Sequence, residues 1–193
     1  LNDAVTRIIS VKRDYLTDLS DSWDPDDLPF EEGQKANFDL AGRSVAIYRG
    51  DSIPIDSKFV ANGGSGVLIV GQNRLFLSEA LRRFPAAEIL SLPFGLLSDE
   101  TFRELKSRAE VADRIIFCLE NRRGIEVLDE ISEFEDRITV LSVLTPVYLR
   151  ETPWVRSAIA TFARGVDSFR AGFAVLLGDY QAEGRMPIDI DSF

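Results

Sequence analysis

Arg114-Ile115-Ile116-Phe117-Cys118-Leu119 places five apolar side chains in succession, with no polar residue between them. A strand with one face in water would alternate, so this run predicts a strand covered on both faces, as in a parallel sheet. Ser44–Tyr48, Val67–Val70, Glu88–Leu92 and Ile138–Leu144 are short runs of similar character. Amphipathic stretches lie between them. Ser78–Phe84 predicts a helix after the second run, and Ile125–Phe134 another. Ser98 can cap a helix to near Ala109, with Asp99 and Glu100 against its positive end. Thr152-Pro153 pairs an N-cap with Pro at the first helical position, predicting a helix that buries Trp154, Val155, Ala158, Ile159 and Phe162. Past Gly165, Phe169, Phe173, Leu176 and Leu177 form the apolar face of a last helix, stopped by Gly178. Met186–Ile190 is expected to close the sheet edge as a final strand. Strict strand–helix alternation predicts the α/β class: a three-layer α/β/α sandwich with a mainly parallel sheet, in a flavodoxin-like layout.

Upstream of the first run the pattern changes. Val5, Ile8, Ile9, Lys12 and Leu16 form a helical stripe, so residues 1–16 are expected to be a helix. It is too short to bury a core alone and is expected to be the last element of a missing domain. Asp14, Asp18, Asp21, Asp24, Asp26, Asp27, Glu31 and Glu32 follow with no basic residue among them. With Pro25 and Pro29 in the same stretch, residues 17–33 are expected to be an acidic linker, and residues 34–193 the sandwich domain. The spacing of Asp21, Asp24, Asp26 and Asp27 lacks the loop Gly and distal Glu of an EF-hand, so no metal is assigned there. The chain does not begin with Met and is expected to be a piece of a longer protein.

Composition removes several functions. The 193 residues carry a net charge of −10, against the basic face a duplex nucleic-acid binder needs. No run approaches the length of a membrane span. There is no histidine, which excludes Ser-His-Asp and Cys-His catalysis and His-ligated metals. Cys118 is the single cysteine and is expected to be a buried small hydrophobe. Gly63-Gly64-Ser65-Gly66 precedes a strand rather than following one, so it is a turn and not a phosphate loop. Rossmann and Walker patterns are absent, and no cofactor is expected. A receiver domain would need an acidic pair after the first strand, where Asp51 stands singly.

In open α/β sheets, ligands meet the carboxyl ends of the strands. Asp51, Asn73, Arg74, Glu120, Asn121, Arg122, Arg123 and Thr145 all lie just past predicted strands. They are expected to gather on one exposed surface that meets substrate or another domain, without a metal.

The C-terminal stretch Phe173-Ala174-Val175-Leu176-Leu177-Gly178-Asp179-Tyr180, continuing to Gly184-Arg185-Met186-Pro187-Ile188, resembles the closing motif of family 3 glycoside hydrolases. Their second domain ends with a helix, a Leu-Phe-Gly-Asp-like stop, a turn and Gly-Arg/Lys-Leu-Pro. Gly178, Gly184, Arg185 and Pro187 match it, as structural rather than catalytic residues. Ala4–Lys12 resembles the family's helix that closes its catalytic (β/α)8 barrel, and Ala41–Arg49 resembles the start of its second domain. Ile138–Leu149 with Thr152-Pro153-Trp154 resembles the strand, turn and helix that follow in the family.

The resemblance implies a bacterial parent with an N-terminal (β/α)8 catalytic domain as partner and a carbohydrate substrate. The nucleophilic Asp would lie in that barrel. In the β-N-acetylglucosaminidase branch the acid/base pair lies there too. In the β-glucosidase branch it is a Glu on the second domain, within a Glu-x-Pro-Tyr-x-Glu-like loop. The matching loop here, Glu120-Asn121-Arg122-Arg123-Gly124-Ile125-Glu126, lacks the Pro-Tyr, which favours the former branch and a non-catalytic domain. Glu120 is the catalytic candidate under the alternative, and an unrelated flavodoxin-like binding domain is the third reading. The compartment stays open: one cysteine suits cytoplasm, periplasm or cell surface.

Overall fold

The computed structural model describes residues 2–16, 30–95 and 97–192. The chain divides into two compact units, with the boundary after Lys35. In the first, helix α1 (Asn2–Leu16) forms where the stripe predicts it. Val5, Ile8 and Ile9 along that stripe are about half exposed. Residues 17–29 of the expected linker, with the Asp21–Asp27 cluster, lie outside the described residues. Residues 30–33, at the end of the expected linker, open helix α2 (Phe30–Ser44). Glu31 and Glu32 sit in its first turn, where carboxylates favour a helix N-terminus.

The rest of the chain runs as β1 (Ala46–Gly50), α3 (Lys58–Ala61), β2 (Val67–Gly71), α4 (Arg74–Arg83), β3 (Glu88–Ser91) and α5 (Asp99–Val111). It continues as β4 (Arg114–Leu119), α6 (Arg123–Asp129), β5 (Ile138–Ser142), β6 (Ser157–Ala160) and α7 (Val166–Leu177). The six strands form one sheet of order β1-β6-β5-β4-β2-β3. All neighbours are parallel except β1 and β6, which pair antiparallel. This is the expected three-layer α/β/α sandwich.

The strands β2, β4, β5 and β6 are buried along their whole length, as their apolar runs require. On one face, Leu68, Val70, Ile115, Phe117 and Val140 pack against Leu105 and Ala109 of α5 and Val127 and Leu128 of α6. On the other, Ile69, Ile116, Leu141 and Ile159 pack against Phe76 and Ala80 of α4 and Phe169, Phe173 and Leu176 of α7. The Phe173 ring stacks on Phe76 at 5.4 Å between centroids, and meets Phe84 edge-on at 6.3 Å. Such pairs add to area burial in fixing how two helices sit together.

Several expected elements change. The helix read at Thr152–Phe162 is the strand β6. Its spacing of apolar residues fits a helix locally, but Ser157–Ala160 fills the slot between β1 and β5, where backbone groups pair on both sides. The first strand starts at Ala46, because Ser44 ends α2. The stretch Ile125–Phe134 breaks after Asp129 into a 3-10 turn, Ser132–Arg137. Met186–Ile190 forms no strand; a 3-10 turn at Ile190–Ser192 tucks Ile190 into the core beside the 3-10 turn Pro146–Glu151.

The closing motif has physical content. Gly178 takes φ +79° at the end of α7, where the Asp179 amide donates to the Ala174 carbonyl at 2.9 Å, a left-handed helix stop. Gly184 lies so close to the α2–β1 junction that a Cβ there would stand 2.3 Å from the Ser44 carbonyl oxygen. Arg185 and Pro187 are exposed, beside Arg43 and Phe162.

Candidate functional site

The buried runs of β2 and β4 each end in polar residues. β2 runs into Gln72-Asn73, and Asn73 caps α4: its Oδ1 accepts from the Leu75 amide at 2.9 Å and the Phe76 amide at 3.4 Å. β4 runs into Glu120-Asn121, and Asn121 Oδ1 accepts from the Gly124 amide at 3.2 Å at the start of α6. Capping fixes both amides, and their free nitrogens then point across the gap between β2 and β4. Asn73 Nδ2 donates to Glu120 Oε1 at 2.8 Å, and Asn121 Nδ2 donates to Gln72 Oε1 at 2.9 Å. Gln72 Nε2 in turn donates to the Pro93 carbonyl after β3 at 2.9 Å.

This gap has a topological cause. β2 is followed by α4 on one face of the sheet, and β4 by α6 on the other. Neighbouring strands whose helices leave to opposite faces open a crevice outside their carboxyl ends. A concavity of about 520 Å³ occupies it. Gln72, Asn73, Arg74, Glu120 and Asn121 line it, together with Phe94, Leu144 and Arg164. The contributing loops follow β2, β3, β4, β5 and β6. Phe94 is 76% exposed and Leu144 46%. Leu144 has φ +66°, a left-handed backbone that a leucine adopts at a cost in free energy.

Among the residues singled out from the sequence, Asn73, Arg74, Glu120 and Asn121 come together here. Arg122, Arg123 and Thr145 lie in the same loops but off the lining. Arg122 pairs with Glu151 at 3.2 Å, Arg123 Nη1 donates to the Phe94 and Gly95 carbonyls at 3.0 and 2.7 Å, and Thr145 caps the turn at Val147. Asp51 does not belong with them. β1 runs antiparallel, so its carboxyl end lies beside the start of β6, where the Asp51 amide meets the Arg156 carbonyl. That is the opposite end of the sheet. Arg164 follows a stretch whose apolar spacing predicts a helix, so no strand end marks it in the sequence. Leu144 falls inside the predicted run Ile138–Leu144, whereas the strand ends at Ser142.

Two residues before Glu120, burial pushes the Cys118 thiol well above its ordinary pKa, and the Glu120 charge adds to the rise. A thiol so held stays protonated and is no nucleophile. Among the described residues no group of His, Cys, Asp or Glu is arranged to hold a metal, and no helix is long and apolar enough to cross a membrane.

No family model and no curated protein matches the sequence. The likeness is in the structure. The chain superposes on part of a fungal multi-domain family 3 β-N-acetylglucosaminidase with a TM-score of 0.80 at 15% identity, covering 97% of this chain and 23% of that one. A family 3 β-N-acetylglucosaminidase from a Paenibacillus species gives 0.74 at 15% identity, over 98% of this chain and 39% of that one. A β-glucosidase from Listeria innocua gives 0.68 at 13% identity, over 91% and 30%. At these identities the likeness shows the fold. The chain spans well under half the length of each of these structures.

Proposed function

We propose that this chain is the second domain of a family 3-like glycoside hydrolase, non-catalytic itself, whose strand-end face meets a (β/α)8 catalytic domain and the sugar held there. The observation that carries the reading is the extent of the structural likeness. It takes in 97–98% of the chain in the two β-N-acetylglucosaminidases, and corresponds in each to a part of a longer enzyme. The closing motif around Gly178 and Gly184 supports it independently, since both glycines are required by the backbone where the family resemblance places them. The missing Pro-Tyr after Glu120 and the higher TM-scores of the two β-N-acetylglucosaminidases support that branch. Hydrolysis would then proceed through a barrel carboxylate with retained configuration. The chain alone is expected to show no turnover of aryl N-acetylglucosaminides, and the longer protein carrying the barrel to hydrolyse them. Turnover by the isolated chain above background overturns the reading.

A second reading has one observation in its favour. Glu120 is the carboxylate that lines the crevice, so it is placed to serve a β-glucosidase-type barrel as acid/base. Glu120→Gln in the longer protein separates the two. An unchanged rate on a substrate with a poor leaving group removes Glu120 from the chemistry. A large loss, restored on an activated leaving group, assigns it the role.

A further inference from the structure

The crevice has the opposite charge to the chain that builds it. The protein carries a net charge of −10. Yet Arg74 and Arg164 both line the crevice, against one carboxylate, Glu120, which Asn73 already engages. Neither arginine has a hydrogen bond or ion pair among the described residues. Arg123 adds a third positive charge nearby, held by the Phe94 and Gly95 carbonyls with no carboxylate opposite it among the described residues. Several other arginines face carboxylates: Arg83 pairs with Asp179, Arg156 with Glu135 and Asp136, and Arg170 with Glu79 and Asp167, whereas Arg150 and Arg185 stand singly on the surface, each without an ion pair among the described residues. Three guanidinium groups with no carboxylate paired to them among the described residues, gathered around one concavity, set up a local positive field. The N-terminus of α4 opens on the same loop and adds to it. Asn73 occupies the first free amides of that helix, so direct contact with an anion falls to the arginines, whose planar forks suit carboxylate and phosphate oxygens.

We propose that the crevice over β2 and β4 binds the anionic group of an acidic sugar, a carboxylate or a phosphate, through Arg74 and Arg164, with the exposed Phe94 ring against the apolar face of the sugar. The volume of about 520 Å³ holds one or two sugar rings. The inference rests on the reading above, in which this face meets the substrate of a glycosidase, and it names the class of that substrate.

The test is calorimetric titration of the intact chain with glucuronic acid and glucose 6-phosphate as the carboxylate and phosphate arms, and with glucose and inorganic phosphate as controls. At least one acidic sugar is expected to bind, more weakly as salt is raised. Its affinity should fall roughly tenfold in Arg74→Gln and in Arg164→Gln, by loss of a charge-assisted contact. The tighter arm identifies the anion. Both arginines are exposed and have no side-chain partner among the described residues, so the variants should keep the wild-type melting temperature. Binding of neither acidic sugar, equal binding of glucose, equal binding of inorganic phosphate, or wild-type affinity in both variants overturns the inference. If the longer protein hydrolyses N-acetylglucosaminides while the chain binds no acidic sugar, this inference fails and the proposed function stands. If an acidic sugar binds and the longer protein has no glycosidase activity, the proposed function fails instead.

Discussion

Asn73 joins the fold to the crevice, and its two roles can be separated by substitution. Its carbonyl oxygen accepts from two amides at the start of α4, and its nitrogen donates to Glu120. Asn73→Ala removes everything. Loss of an N-cap costs about 1 kcal/mol. A half-exposed side-chain hydrogen bond contributes about 1 kcal/mol more, held below the usual value for a charged acceptor because Glu120 is partly solvated. The expected total is about 2 kcal/mol. Asn73→Ser keeps a competent cap but cannot reach Glu120, so about 1 kcal/mol is expected. Urea denaturation followed by circular dichroism reads both. With a slope of about 2 kcal/mol per molar, the midpoint should fall by roughly 1 M for Ala and 0.5 M for Ser. A Ser variant as unstable as the Ala variant would refute the capping argument. An Ala variant within about 0.2 M of wild type would refute both roles.

Three further outcomes follow from the packing. Phe173→Ala empties the ring stacked between α4 and α7 and should cost about 3–5 kcal/mol by denaturation; a loss under about 2 kcal/mol would mean that interface is not close-packed. Gly184→Ala drives a Cβ into the Ser44 carbonyl, with no flexible side chain to yield, and should cost about 2 kcal/mol; an unchanged melting temperature would contradict the close approach. Cys118 should resist iodoacetamide at pH 8 in the native protein, because burial holds its thiol protonated and inaccessible, and react fully once unfolded; native labelling at the rate of a free thiol would count against the buried position.

How far the sequence reaches depends on whether the deciding physics is local. Ser98 caps α5 through an oxygen that accepts from the Thr101 amide at 3.2 Å, an interaction between residues three apart. Gly178 stops α7 by a backbone angle of its own. Arg114–Leu119 and Val67–Gly71 carry enough apolar surface that burial on both faces was their only stable fate, and that sufficed to indicate a parallel sheet between helical layers. For the site, Asn73, Arg74, Glu120 and Asn121 were legible because a strand's carboxyl end follows from knowing the strand.

The tertiary structure alone decided the rest. Trp154, Val155, Ala158 and Ile159 have helical spacing, and Thr152-Pro153 has the form of a helix start. Local preferences of a few tenths of a kcal/mol per residue yield when a central slot in the sheet offers Ser157–Ala160 two ladders of backbone partners and complete burial. From that single element came two corrections. Arg164 moved to a strand end and into the crevice, and β1 found an antiparallel neighbour, which carried Asp51 to the far end of the sheet. Strand direction is set by which neighbour a strand pairs with. That is a relation between Ala46 and Ala160, more than a hundred residues apart, and no periodicity within either segment encodes it.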